Sequence, residues 1–281
     1  MKIAISTEST LDLPKELQKE YDISVIPFTV ILGDKSGLDG DITPTEIFEY
    51  VDKTGILPKT AAVNEFQFDQ YFTKLLRNHD AVIHISLSSG ISSACQNAMA
   101  AASIMKNVYV IDSESLSTGI ALLAIYARKL ANEGLKPEEI VEKVKARVPY
   151  VQASFVINSL NYLHKGGRCS GLARFSAALF RIKPQIIVAN GKMSPQKKYS
   201  GKNEKCVDNY CRDTLEEFNN PDLSIAFVTH SHATPEMVQI AKEHLKKRGF
   251  KTIYETVAQA TITSHCGPKT LGILYINDGL K

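Results

Sequence analysis

The chain of 281 residues has no apolar run longer than Ala121–Ala127 (ALLAIYA), far short of the roughly 20 residues a membrane-spanning helix needs. Its opening, MKIAISTEST, meets Glu8 too soon for the apolar core of a secretory signal. The five cysteines, at 95, 169, 206, 211 and 266, include no C-x-x-C pair, which argues against a disulfide framework and a zinc knuckle. These absences predict a cytoplasmic, soluble protein. Three loop signatures are missing as well. Without G-x-x-x-x-G-K-[ST] or G-x-G-x-x-G, no ATP or dinucleotide site of its own is expected, and without G-x-S-x-G an esterase elbow is disfavoured.

What is present is an ordinary globular composition, 44% hydrophobic and 22% charged, in a length that favours two domains. Net charge is only +3, but it is unevenly spread. His164 to Lys205 carries ten basic residues, at 165, 168, 174, 181, 183, 192, 197, 198, 202 and 205, against one acid, Glu204. This is either a solvated basic face or a surface for an anionic ligand or acidic partner. Without interleaved aromatics or a known motif, nucleic acid is not expected as a partner.

Short apolar segments alternate with helical patterns through the first half. Lys2–Ser6, a long β-branched Ile23–Leu32, Ala81–Leu87 and Val108–Asp112 read as strands. Asp34–Asp41 reads as a loop and Leu57–Ala62 as an extended piece. Ser9 or Thr10 is expected to cap a helix starting near Pro14. Thr43-Pro44-Thr45-Glu46 reads as a capping box opening a helix to Val51. Further helices are expected over Glu65–Asn78, Ser93–Met105, Ser117–Glu133 and Pro137–Val148. After Tyr150 the rhythm changes, with strands over 152–157, 185–190, 224–229, 252–256 and 271–277, a turn at Gly191-Lys192 and a helix opened by Thr234-Pro235-Glu236. The fold class is α/β. A boundary near 150 divides residues 1–150, a parallel α/β domain, from 151–281.

Three stretches carry candidate chemistry. Ser86–Ala94 (SLSSGISSA) joins a buried strand to a helix, where unpaired amides, the positive dipole end and several hydroxyls suit a carboxylate or phosphate. The alternative is plain N-capping by Ser92 or Ser93. In Lys165-Gly166-Gly167-Arg168 the glycines admit close backbone approach while the guanidinium offers a fork of donors. The alternative there is a helix C-cap beside a surface arginine. Ser264-His265-Cys266-Gly267-Pro268 places an imidazole in a rigid loop before the last strand, unless His265 is merely solvated. Cys266 beside His265 lacks a third, orienting residue, so a Cys–His nucleophile is disfavoured. His230-Ser231-His232 lacks a completing ligand, so no metal is expected. Cys206 and Cys211, on a probable helix, read as ordinary thiols rather than ligands.

Taken in order, STESTLDLP (6–14), DGDITPTEIF (39–48), PKT (58–60), SSGISSACQNA (88–98), VIDSESLSTG (110–119), LNYLHKGGRCS (160–170), IKP (182–184), NGKMSP (190–195) and HCGPKTLG (265–272) resemble the DegV family of bacterial fatty-acid-binding proteins, which includes the binding subunit of fatty acid kinase. The resemblance implies a two-domain fold, an N-terminal Rossmann-like parallel α/β domain plus a C-terminal mixed-sheet α/β domain. A long-chain fatty acid such as palmitate, stearate or oleate would lie in a tunnel between them. It also implies carboxylate binding by Thr60, Ser92 and His265, with Ser93 beside them, and charge balance or phosphotransfer support from Arg168. No residue of the chain would be catalytic. A separate kinase subunit would make the acyl phosphate for phospholipid metabolism, and a membrane surface would be met only transiently. Three departures stand out: Ala61-Ala62 where the family has Ser-Gln, Ser92-Ser93-Ala94-Cys95 for Ser-Gly-Thr-Tyr, and Ser200 where an arginine is common, with Lys197, Lys198 or Lys202 available to compensate. A lipid sensor without kinase coupling and a Cys/His acyl hydrolase using Cys266 or Cys95 are the competing functions. Physically, a tail of about 16 carbons gains on the order of 10 kcal/mol in a dry tunnel. Its carboxylate must be met by donors there, because an unpaired buried charge is prohibitive.

Overall fold

The computed structural model describes residues 1–169 and 182–279. The first half runs β1 (Ile3–Glu8), α1 (Lys15–Glu20), β2 (Ile23–Ile26), β3 (Thr29–Leu32), β4 (Lys35–Leu38), α2 (Pro44–Thr54), β5 (Lys59–Ala61), α3 (Glu65–Leu76), β6 (Ala81–Ser86), α4 (Ala94–Ala102), β7 (Val108–Asp112), α5 (Thr118–Asn132) and α6 (Pro137–Arg147). The second half adds β8 (Val151–Val156), α7 (Asn161–Gly166), β9 (Lys183–Ala189), β10 (Lys192–Tyr199), α8 (Asn203–Glu217), β11 (Ile225–Ser231), α9 (Pro235–Arg248), β12 (Thr252–Val257), α10 (Ala260–Cys266) and β13 (Thr270–Ile276).

Three sheets result. One is all parallel, ordered β2-β1-β6-β7, and its central strands β1 and β6 are buried along their whole length, as a sheet covered on both faces requires. The second is mixed, ordered β10-β9-β8-β13-β11-β12, with only β11 and β12 parallel among its pairs. This is the expected α/β class with a parallel and a mixed sheet. The ALLAIYA run lies in α5, which is buried nearly all round because it packs against β1 and β6 of one sheet and β8, β11 and β13 of the other. A helix that is apolar on every side belongs between two layers.

The third sheet, β4-β3-β5, departs from the sequence reading. The single strand expected over Ile23–Leu32 breaks before Thr29: β2 joins the parallel sheet, while β3 leaves to pair with β4 and β5. Pro27 sits at the break and can donate to neither ladder. The expected loop 34–41 contains β4, a short exposed hairpin arm. Val30, Leu32, Ile42 and Ile47 of this first-half unit bury Ala260 at the start of α10, so a helix from the far end of the chain rests on the small sheet.

Two caps also differ. Ser9–Leu11 form a short 3-10 turn, and α1 begins after Pro14 with no side-chain cap. Ser9 instead donates to Asp39 (2.8 Å) and accepts from the Phe28 amide (3.1 Å), tying the end of β1 to the small sheet. The capping box of α2 forms as expected, Thr43 accepting from the Glu46 amide and the Glu46 carboxylate accepting from the Thr43 amide.

Candidate functional site

A cavity of about 640 Å³ opens between the parallel and mixed sheets, within the range of small-molecule sites. Phe28, Leu87, Phe155, Leu163, Ile262 and Leu274 supply apolar wall from both halves of the chain. Thr60, Ser92, Ser93, Arg168 and His265 all border it. Five residues scattered over the sequence are thus brought to one space, and Arg168 is the only Lys, Arg, Asp or Glu among its described lining residues.

Thr60 is the middle residue of β5, paired in register with Val30. Its hydroxyl meets His265 Nε2 at 2.9 Å. His265 was expected in a loop but lies in the last turn of α10. The positive φ of Gly267 (74°) ends that helix, and a Cβ there would lie 2.6 Å from the Tyr162 ring. The imidazole is packed against α7, where a Cβ on Gly166 would stand only 2.8 Å from its Nδ1. The glycine is therefore room for the ring. Burial, helped by the Arg168 charge, lowers the His265 pKa to about 4. The imidazole is neutral at pH 7, which leaves Arg168 as the cationic side chain among the described lining residues. A neutral ring carries one N–H. When that proton is on Nε2 it donates to Thr60, leaving the threonine O–H free to donate into the cavity. Nδ1 is buried with no hydrogen-bond partner among the described residues.

The loop before α4 offers hydroxyls rather than the free amides expected of it. The Ser89 amide donates to Asp112 (3.2 Å), that of Gly90 to Ser88 Oγ (3.2 Å), and those of Ile91 and Ser92 to the Ser88 carbonyl (3.0 and 3.1 Å). Ser93 occupies the N-cap position without a side-chain cap bond. Ser92 Oγ accepts from the Ala94 amide at 3.2 Å, which leaves its own O–H available as a donor. Capping and ligand binding are thus compatible at Ser92.

Arg168 follows the left-handed Gly167 (φ 66°) that ends α7, so the C-cap expectation and the cavity role are both met by one turn. Its guanidinium donates to the Gly166 carbonyl at 2.6 Å and is otherwise exposed. Of the basic segment around it, two described lysines are engaged elsewhere. Lys183 donates to the Gly201 carbonyl, Lys197 pairs with Glu217 at 3.1 Å, and Arg174, Arg181 and Ser170 lie outside the described residues. Lys197, Lys198, Ser200 and Lys202 border neither the cavity nor the smaller one beside it. The lysine that does reach the mouth is Lys192, at the start of β10. In the sequence it belongs to the Gly191-Lys192 turn, the basic segment and the NGKMSP stretch, none of which places it at the cavity.

The remaining candidates separate. Burial pushes the thiols of Cys95 and Cys266 up to about 12, opposite to the lowering a nucleophilic cysteine needs. His230 pairs with Glu255 (3.3 Å), while His232 lies edge-on to Phe48. Among the described residues no cluster of His, Cys, Asp and Glu could hold a metal, and no helix is long and apolar enough to cross a membrane.

Comparisons with known proteins agree on one family. A family model described as "Uncharacterised protein, DegV family" matches residues 2–278. A DegV domain-containing protein of Caldanaerobacter subterraneus is 30% identical over 279 residues, covering 98% of each chain. Among solved structures, a DegV family protein from Thermus thermophilus, described by its fatty acid binding, superposes with TM-score 0.91 at 25% identity, covering 99% of this chain and all of its own. The fatty acid binding protein DegV of Bacillus subtilis does so with TM-score 0.86 at 28% identity and the same coverage.

Proposed function

The chain belongs to the DegV family, and on that premise we propose that it binds a long-chain fatty acid in the 640 Å³ cavity and presents its carboxylate to a separate kinase. The hydroxyls of Thr60 and Ser92 donate to the carboxylate, Ser93 lies beside them, His265 orients Thr60, and Arg168 balances the charge. Residues 1–150 and 151–281 act as two lobes with the acyl chain between them.

The observation that carries this reading is the charge pattern of the cavity. An apolar-walled space with one cation among its described lining residues and the hydroxyls of Thr60 and Ser92 at its border suits a ligand with one anionic end and a greasy remainder. Burying some 14 to 16 methylenes supplies on the order of 10 kcal/mol, part of which association and ordering take back. The named relatives from Thermus thermophilus and Bacillus subtilis bind fatty acids, which supports the ligand class. In the kinase step a carboxylate oxygen bonds to the γ-phosphorus of ATP held by the partner. The bond to the bridging oxygen breaks, and ADP leaves with the electron pair.

Native mass spectrometry of freshly purified protein tests the binding half: a retained mass of a long-chain fatty acid is expected. Apo protein that also rejects added palmitate and oleate would overturn it. The kinase half is tested by adding ATP and a bacterial fatty acid kinase catalytic subunit to the loaded protein and assaying acyl phosphate. A hydrolase reading predicts instead that Cys95→Ala or Cys266→Ala abolishes an acyl-ester activity.

A further inference from the structure

A second, smaller cavity of about 250 Å³ adjoins the first and shares Gly90, Ile91, Arg168 and Met193 with it. It adds Lys192, and no carboxylate borders it among the described residues. We infer that this annex is a phosphoryl subsite, in which Lys192 and Arg168 together hold the phosphate of an acyl phosphate while its acyl chain stays in the main cavity.

The argument begins with how Lys192 gets there. Asn190 and Gly191 both have positive φ (49° and 73°), the conformation of a two-residue hairpin turn that matches strand twist. This turn joins β9 to β10 and docks against the loop before α4. The Ser88 hydroxyl donates to the Gly191 carbonyl at 2.7 Å. The fit is tight on both sides: a Cβ on Gly90 would lie 2.5 Å from that carbonyl oxygen, and one on Gly191 would lie 2.7 Å from Ser88 Oγ. The Lys192 stem, whose Cγ is 3.3 Å from that same Gly90 position, therefore starts from a fixed point at the mouth, one residue beyond the docked turn. Fixing the stem is what distinguishes this ammonium from the lysines at 183 and 197, which are spent on Gly201 and Glu217.

Charge then selects the ligand. The main cavity has one cation for one carboxylate. The terminal phosphate of an acyl phosphate, a mixed anhydride, carries a charge like that of a phosphorylated side chain, about −1.5 to −2 at pH 7, on three acceptor oxygens, so the product needs a second cation and room beyond the carboxyl carbon. The annex, which borders Arg168 and adds Lys192, supplies both. Two cations placed so would hold an acyl phosphate by its phosphate until an acceptor draws the acyl group off.

This inference rests on the fatty-acid reading above, and one experiment separates their fates. The full chain is titrated with palmitate and with the phosphonate analogue of palmitoyl phosphate, in which CH2 replaces the bridging oxygen, by displacement of a fluorescent fatty acid. The ratio of phosphonate to palmitate affinity is expected to fall about tenfold in Lys192→Ala and to recover in Lys192→Arg, with unfolding midpoints unchanged because Lys192 is exposed. An unchanged ratio in Lys192→Ala, or a wild-type protein that binds palmitate but rejects the phosphonate, overturns the subsite and leaves the fatty-acid reading standing. Wild-type protein that binds neither overturns both.

Discussion

Two histidines mark two regions built to opposite ends. His84, in the middle of the parallel sheet, has no exposed surface and both nitrogens engaged: Nδ1 with Ser6 Oγ at 2.9 Å and Nε2 with Glu8 at 3.2 Å. Glu8 in turn accepts from the Ser86 hydroxyl (2.5 Å) and the Leu87 amide (3.0 Å). Although burial alone would raise its pKa, His84 and these donors hold it below the usual carboxylate value. Every polar valence in that network points inward, and its product is a rigid floor that fixes where the loop toward Ser92 begins. His265 has Thr60 on Nε2, while its buried Nδ1, against Gly166, has no hydrogen-bond partner among the described residues. A closed network stabilises the fold; on the proposed reading, the Thr60–His265 pair serves the ligand instead.

The comparison breaks most visibly at Glu8. Glu8→Ala strips partners from His84, Ser86 and the Leu87 amide at once, and removing half of a buried pair costs about 3–5 kcal/mol. Chemical denaturation should register that loss, and a variant as stable as wild type would mean the network is not closed. Arg168→Ala should do the reverse. The side chain is exposed, so unfolding moves little, while palmitate affinity drops about tenfold or more, as for a charge-assisted hydrogen bond. Calorimetric titration measures it, and equal affinities would remove Arg168 from the site. Thr60→Val, a smaller change, should weaken palmitate severalfold through one lost neutral donor; a loss as large as that of Arg168→Ala would mean the threonine does more than donate.

The smallest expected effect is in pH. The folded pKa of His265, about 4, lies below the ordinary imidazole value of 6.5, because the ring is buried. Its neutral form therefore contributes fully above pH 6.5, and the contribution is lost as pH falls from 6.5 toward 4. Urea midpoints of apo wild type and His265→Gln should converge across that window. A constant difference from pH 7 to 4 would place the imidazole in water.

The sequence discloses these regions unequally, for physical reasons. Strands such as Ala81–Ser86 are legible because a sheet covered on both faces demands continuous apolar residues. The α2 capping box is legible because its chemistry is local. α10 is not. It has seven residues, ATITSHC, rich in β-branched and hydroxyl side chains, and it is held by distant groups: Asp12 accepts from the Gln259 amide at 2.7 Å, and Ala260 packs on the small sheet. Tertiary contacts override propensity there. The five site residues could be named through motif resemblance. The neutral state of His265, the internally satisfied amides of the 88–92 loop and the delivery of Lys192 by a docked hairpin all depend on contacts between halves of the chain. No local pattern encodes them.

Thr60 and His265 meet across 205 positions of sequence. At about 5–20 residues per second of synthesis, a ribosome takes roughly 10–40 s to pass from one to the other. For all that time the nascent chain has half a head-group site and none of the strand, β13, that completes the mixed sheet. If the proposed reading holds, lipid capture is therefore the last event of biogenesis rather than a template for it, and a chain truncated before α10 would lack His265 and with it half of the Thr60–His265 pair.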